Sequence, residues 1–222
     1  MRRRLVVMVK EPRAGLVKTR LGREIGMIAA TWWMRHQLRA LLQRLRDPRW
    51  DLWLAVSPDT VVASRMFPGD LPRVAQGPGD LGDRMGRVLR RRAPAAGSPD
   101  GHAGPRRSAC QGGAIVPPSG RTRPSSLHSP GPICIIGADI PGITRHHIWR
   151  AFRALGQADA VIGPSTDGGY WLIGTRHAAP QGIFDKVRWS TEHALADTLA
   201  SLPGLRVALV DGLSDVDEAA DL

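Results

Sequence analysis

Only two cysteines, Cys110 and Cys134, occur in the 222 residues. They lack the CxxC spacing of a redox or zinc site and cannot make a disulfide scaffold, which suits a reducing compartment. Aromatics other than tryptophan are as scarce, with three Phe and one Tyr beside seven Trp. That excludes the interleaved stacking platform of a single-strand nucleic-acid binder. No apolar run approaches the ~20 residues needed to cross a bilayer. The start, Arg2-Arg3-Arg4 and then Leu5 to Val9, has the outline of a signal peptide, but its apolar part ends at Lys10-Glu11-Pro12. An h-region needs ~7–15 residues. A cytoplasmic protein without a membrane span is therefore expected. Lysine is also rare: three of the 31 basic residues are Lys and the rest are Arg.

What is present is a 42% apolar chain of net charge +11, long enough to bury a proper core. The Arg bias, alongside much Ala, Gly and Pro, reads as composition pressure rather than a designed nucleic-acid face, because the charge is spread over the N-terminus, Arg35 to Arg49, Arg84 to Arg92 and Arg106 to Arg123. Such a chain suits anionic ligands, nucleotides and phosphates among them. The oligomeric state is not legible.

The stretch Ala93 to Pro132 holds eight Pro, seven Gly and six Ser in 40 residues. It cannot bury enough surface to offset its ordering entropy and is expected as a disordered insertion at 93–132 in a single domain spanning 1–222. On either side apolar patterns alternate. Leu5 to Val9, Leu52 to Val56, Ile133 to Ile136, Ala160 to Ile162, Tyr170 to Ile173 and Val207 to Val210 read as strands, several of them apolar throughout, as strands buried on both faces are. Helices are predicted through Met27, Thr31, Met34, Leu38, Leu41 and Leu45, through Leu81, Met85 and Val88, from a Thr144 cap through Ile148, Phe152 and Leu155, and from Thr191 through Leu195, Leu199 and Leu202. Alternating strands and helices of this kind predict an α/β protein with a mostly parallel sheet, whose ligands bind beyond the carboxyl ends of the strands.

The unusual residues fall at those ends. After the first strand comes Lys10-Glu-Pro-Arg-Ala-Gly15-Leu-Val-Lys18-Thr-Arg20-Leu21. Gly15 allows close backbone approach and Lys10, Lys18 and Arg20 supply cations, so the loop reads either as a phosphate cradle or as a solvated basic turn. It has neither Walker A nor GxGxxG spacing. Asp139, in Gly137-Ala-Asp-Ile-Pro-Gly142, emerges from a buried strand and is placed either to hold Mg2+ or Mn2+ or to cap its own turn. Asp167-Gly168-Gly169-Tyr170 is either a plain hairpin turn or an acidic group held over the sheet edge, where it orients a hydroxyl or acts as a base. Asp215 and Asp217, in an acidic tail, either share a cation or decorate a helix N-terminus. Gln76-Gly77-Pro78-Gly79-Asp80 precedes a helix bearing Arg84, a candidate base-recognition loop that Asp80 also caps. Trp32, Trp33, Trp50 and Trp53 read as core or crevice walls, and the histidines show no zinc spacing.

Taken in order, Val9 to Leu21, Gln76 to Met85, Gly137 to Gly142, Gly163 to Tyr170 and Asp215-Val-Asp217 resemble the bacterial glycosyltransferase-like family of the arsenosugar-biosynthesis or radical-SAM-associated type, over about four fifths of the chain. The resemblance implies the GT-A nucleotide-diphospho-sugar transferase fold, a Rossmann-like three-layer α/β/α sandwich shared with certain guanylyltransferases. It implies nucleotide and phosphate contacts at Lys10, Gly15, Lys18, Arg20, Gln76, Gly79 and Arg84, and a sugar or acceptor side at Asp167, Gly168, Gly169 and Tyr170, with Asp167 catalytic. It also implies a Mg2+ or Mn2+ ion on Asp139 and Asp217. The chain departs from the family at the tail, where Glu218-Ala219 stand for a Thr-Pro pair, and in the length of 93–132. The expected activity is metal-dependent glycosyl transfer from a nucleotide-diphospho-sugar to a small-molecule acceptor. The alternative is nucleotidyl transfer from a nucleoside triphosphate with release of pyrophosphate. A third reading is a non-catalytic basic binding protein acting through the Arg-rich loop.

Overall fold

The apolar run at the N-terminus forms β1 (Arg3–Lys10), with Leu5, Val7 and Val9 buried on one face and Val6 on the other. In the computed structural model, which describes residues 2–90, 115–116 and 131–214, it is the centre of the fold. The chain continues through α1 (Thr19–Ile25), α2 (Met27–Arg44), β2 (Trp50–Ser57), β3 (Arg73–Ala75), α3 (Leu81–Arg90) and β4 (Ile115–Val116). Then follow β5 (Ile133–Ile136), α4 (Arg145–Ala154), β6 (Ala160–Pro164), β7 (Tyr170–Thr175), α5 (Ala194–Ala200) and β8 (Val207–Leu209).

Among the described residues the strands make one sheet in the order β4-β3-β2-β1-β5-β7-β6-β8. β1 pairs in parallel with β2 and β5, β2 with β3, and β6 with β8. β7 runs against both β5 and β6, and β4 against β3. The antiparallel β7 follows from the tight Asp167-Gly168-Gly169 turn, which leaves no room for a crossover helix.

Period-two alternation along the strands divides the core in two. One cluster packs Leu5, Val7 and Val9 against Met34, Leu38 and Leu41 of α2 and Ile148 and Phe152 of α4. The other packs Val6, Ile135 and Ile162 against Met85, Val88 and Leu89 of α3 and Ala194 of α5. The result is the α/β protein with a mostly parallel sheet that the residue pattern predicts, its helices on both faces as the resemblance implies.

Two details depart from the residue pattern. β3 was not foreseen: three residues are too short for a periodicity, and Arg73 interrupts the apolar run, yet all three are buried. The helix expected from Thr191 begins at Ala194, because Ser190 takes a left-handed φ of 59° and the Thr191 hydroxyl accepts from the His193 N–H in a turn. Of the tryptophans expected as core or crevice walls, Trp50 is buried, while Trp32 is 65% exposed on α2 at the edge of a surface concavity. Within 93–132, Ile115 and Val116 form β4, which pairs antiparallel with Val74 and Arg73. The remainder of 93–130 lies outside the described residues.

Among the described residues no helix is long and apolar enough to cross a membrane.

Candidate functional site

β1 and β5 are adjacent and parallel, so the loops leaving their carboxyl ends meet. This adjacency joins the first two motifs. Lys18 Nζ donates to Asp139 Oδ2 at 2.8 Å across 121 positions of sequence. The lysine side chain is only 7% exposed, against 36% for the aspartate. The ammonium is thus nearly enclosed behind the carboxylate while the carboxylate still reaches solvent. Lys18 is also the N-cap of α1 and takes a left-handed backbone, φ 45°, a conformation that costs a non-glycine residue about 1 kcal/mol or more and persists only where the surroundings impose it.

Asp139 opens into a cleft of about 510 Å³ whose wall also carries Arg20, Asp167, Tyr170, Met85 and Trp189. Asp167 sits in the turn between β6 and β7, where its Oδ1 accepts from the Gly169 N–H at 2.9 Å. The motif is a hairpin turn between β6 and β7, and Asp167 lines the cleft. Its glycine is obligatory. Gly168 has φ +83° and an added Cβ would lie 2.3 Å from the Glu192 carbonyl oxygen. The close approach seats the Ser190–Glu192 segment on the turn, and the Leu195 N–H donates to the Gly168 carbonyl at 3.0 Å. Tyr170 lies edge-on to Trp189 at 6.4 Å, and its hydroxyl accepts from Thr198 Oγ1 at 3.3 Å. Burial pushes its phenol above the ordinary tyrosine value, so the hydroxyl is neutral on the cleft wall.

The other candidates stand elsewhere. Lys10 ends β1 and Gly15 lies in the loop that follows; both are exposed and neither lines the cleft. Gln76 is buried, and its side-chain N–H group donates to the carbonyls of Val9 and Ala55, lacing three adjacent strands together. Gly79 is turned at φ 98° beneath the Asp83 side chain, and Arg84 folds back to donate to the Gly79 carbonyl at 2.9 Å. Asp80 caps α3 by accepting from the Asp83 N–H at 2.8 Å. The Gln76–Arg84 segment is thereby occupied with its own turn, and neither Gln76, Gly79 nor Arg84 lines the cleft. Asp215 and Asp217 lie outside the described residues.

Reasoning from sequence missed Trp189 and Glu192, which also line the cleft. The only signal for Trp189 was its place among seven tryptophans, and nothing local marked Glu192. Among the described residues no group of three His, Cys, Asp or Glu converges as a metal cage. The donor set is nonetheless suited to Mg2+ or Mn2+: a carboxylate open to a cleft is the usual attachment for ions that keep waters and substrate phosphates as their other ligands.

The layered, mostly parallel sheet and its strand order give a nucleotide-diphospho-sugar transferase-like fold. Over 98% of this chain and 84% of the other, the structure is similar to a protein of Desulfovibrio desulfuricans G20 assigned as a nucleotide-diphospho-sugar transferase, at 26% identity and a TM-score of 0.73. In fold alone it is similar to the 4-diphosphocytidyl-2C-methyl-D-erythritol synthase of Anaerococcus prevotii DSM 20548, at 10% identity, a TM-score of 0.52 and coverage of 99% and 94%. Residues 40–191 match the model of the DUF2064 family, described as an uncharacterized protein conserved in bacteria, and the chain belongs to that family. No functionally curated protein matches it.

Proposed function

We propose that the chain is a transferase that takes a nucleotide-diphospho-sugar as donor and passes the sugar to a small-molecule acceptor. The observation that carries this reading is the Lys18–Asp139 pair, which unites two strand-end motifs at a cleft also lined by Arg20 and Asp167.

In this reading Arg20 binds the donor phosphates, and Lys18 both shares their charge and holds Asp139 towards the cleft. The departing diphosphate gains negative charge as the sugar–phosphate bond breaks, and fixed cations stabilise that charge more than they stabilise the intact donor. Asp167 keeps one oxygen on the Gly169 N–H, and its second oxygen has no hydrogen bond among the described residues. That oxygen orients the acceptor hydroxyl and takes its proton. Tyr170 and Trp189 wall the sugar or acceptor side.

Mg2+ or Mn2+ would be held by Asp139, with Asp217 as a second ligand, and when bound it would neutralise the leaving diphosphate. Motif order supports the arsenosugar-biosynthesis or radical-SAM-associated branch, and the cysteine pattern supports a cytoplasmic setting.

The test is a thermal-shift screen of UDP-glucose, GDP-mannose, GTP and CTP, each with and without Mg2+ or Mn2+. The expected result is a metal-dependent rise in Tm with a sugar nucleotide, lost in Asp139→Asn and Lys18→Met. A shift with a bare triphosphate alone, followed by pyrophosphate release, would move the assignment to nucleotidyl transfer. No shift with any nucleotide would overturn both.

A further inference from the structure

A second concavity, of about 550 Å³, opens on the opposite helical layer between α2 and the loop 65–68, and shares no lining residue with the cleft. Its volume falls within the ~300–1,000 Å³ of small-molecule sites. Among the described residues its lining carries Arg35, Arg39 and Arg65 together with His36, and no acidic side chain. Its apolar lining includes Leu38, Leu42 and Phe67, and its rim carries two of the chain's exposed large apolar side chains, Trp32 at 65% and Met66 at 40%.

Among the described residues no carboxylate pairs with Arg35, Arg39 or Arg65. The acid groups near the loop are already engaged: Asp70 in a two-pronged pair with Arg46, and the buried Glu11 with Arg13 and the Ser64 hydroxyl. The guanidinium of Arg35 lies 5.7 Å from the Trp32 ring centroid and donates to the Pro12 carbonyl at 3.1 Å, so ring and charge form one ledge. The facing wall is fixed from below. Arg73 is only 5% exposed, and its guanidinium donates to four carbonyls, those of Val62, Ser64, Phe67 and Pro68. A buried arginine committed to shaping one loop makes that wall a built surface rather than a chance dent.

We propose that this groove binds a small molecule whose phosphate or carboxylate group is taken by Arg35, Arg39 and Arg65 while an aromatic or alkyl body lies on Trp32, Met66 and Phe67. Charge without counter-charge selects an anion, and the exposed indole and thioether beside it select an apolar body over a bare ion. The site is independent of the reading given to the cleft.

The probe is 1-naphthyl phosphate, with calorimetric titration of the full chain as readout and the indole N–H resonance of Trp32, assigned by Trp32→Phe, as locator. Wild type is expected to bind, with the Trp32 signal shifting on titration. The double variant Arg39→Glu/Arg65→Glu, both positions being exposed, is expected to keep its Tm and to bind at least about tenfold more weakly, as loss of two charge-assisted contacts implies. Asp139→Asn is expected to bind like wild type. Unchanged affinity in the folded double variant, or loss of binding in Asp139→Asn, would overturn the proposal, the latter by placing the probe in the cleft. Inorganic phosphate binding as tightly as the probe would overturn the apolar half. Sedimentation with phosphatidylglycerol vesicles without binding of the soluble probe would replace the small molecule with a membrane surface.

Discussion

The cleft and the α2 groove both present cations, but they treat them in opposite ways. In the cleft the buried ammonium of Lys18 faces Asp139 at 2.8 Å, so charge is balanced internally and the pair is held in place before any ligand arrives. In the groove Arg39 and Arg65 stand exposed with no acidic residue among the described lining residues. A balanced pair is preorganised for chemistry in which charge moves. An unbalanced set only gains by taking up an anion. The first arrangement suits turnover and the second suits binding.

The comparison is broken most severely at Asp139. Asp139→Ala leaves a nearly enclosed ammonium without its partner and removes the carboxylate from the cleft. Transfer activity is expected to fall by about 10²–10³-fold, comparable to loss of one preorganised charge-stabilising group, while naphthyl phosphate binding on α2 persists. A donor-consumption assay beside calorimetry reads both. Arg73→Met reverses the pattern. With four loop carbonyls losing their donor, stability is expected to drop on the order of 3 kcal/mol in urea unfolding, and the groove ligand to be lost while the sugar-nucleotide Tm shift remains.

Gly168→Ala tests the rim of the cleft. The left-handed φ and the 2.3 Å approach to the Glu192 carbonyl oxygen oppose a methyl group, so a loss of about 1–3 kcal/mol is expected, read from the same urea midpoint. Thr198→Val removes the donor to the Tyr170 hydroxyl and is expected to cost about 1 kcal/mol, with little change in donor binding.

The smallest effect is a pH dependence behind the cleft. Arg188 grips Asp197 through its backbone N–H and guanidinium and holds that carboxyl well below the usual carboxylate range. The unfolded chain binds that proton first as pH falls, so the pair's contribution is complete above the ordinary Asp value of ~3.9 and is lost below it as pH approaches the depressed folded value. The difference in urea midpoint between wild type and Asp197→Asn should therefore be constant near neutrality and close only in strong acid. A gap that changes between pH 5 and 8 would show that another group is responsible.

Most elements were legible because their signals are local. The apolar run at Leu5–Val9 is a strand buried on both faces, and the spacing from Met27 to Leu45 gives α2 one buried stripe. Thr144 caps α4 as expected, accepting from the His147 N–H. β3 was not legible, because three residues carry no period, and neither was the fate of Gln76, since a glutamine looks the same whether it reads a base or laces strands. The cleft was half legible: Asp139 and Asp167 stand in marked motifs, while Trp189 and Glu192 come from a segment brought to the cleft by tertiary contacts with Gly168 and Tyr170.

By itself the sequence determined the alternation of strands and helices, the apolar faces, and the positions of Lys18, Asp139 and Asp167 at strand ends, since side-chain period and turn chemistry act over a few residues. Tertiary structure alone decided that β5 lies beside β1, that Lys18 therefore meets Asp139 across 121 positions, and that Arg73 shapes a loop into one wall of a cationic groove. Those outcomes depend on which strands pair and which helices cover them. That is a property of the whole packed chain, where one contact is stable only because the others hold its partners in place.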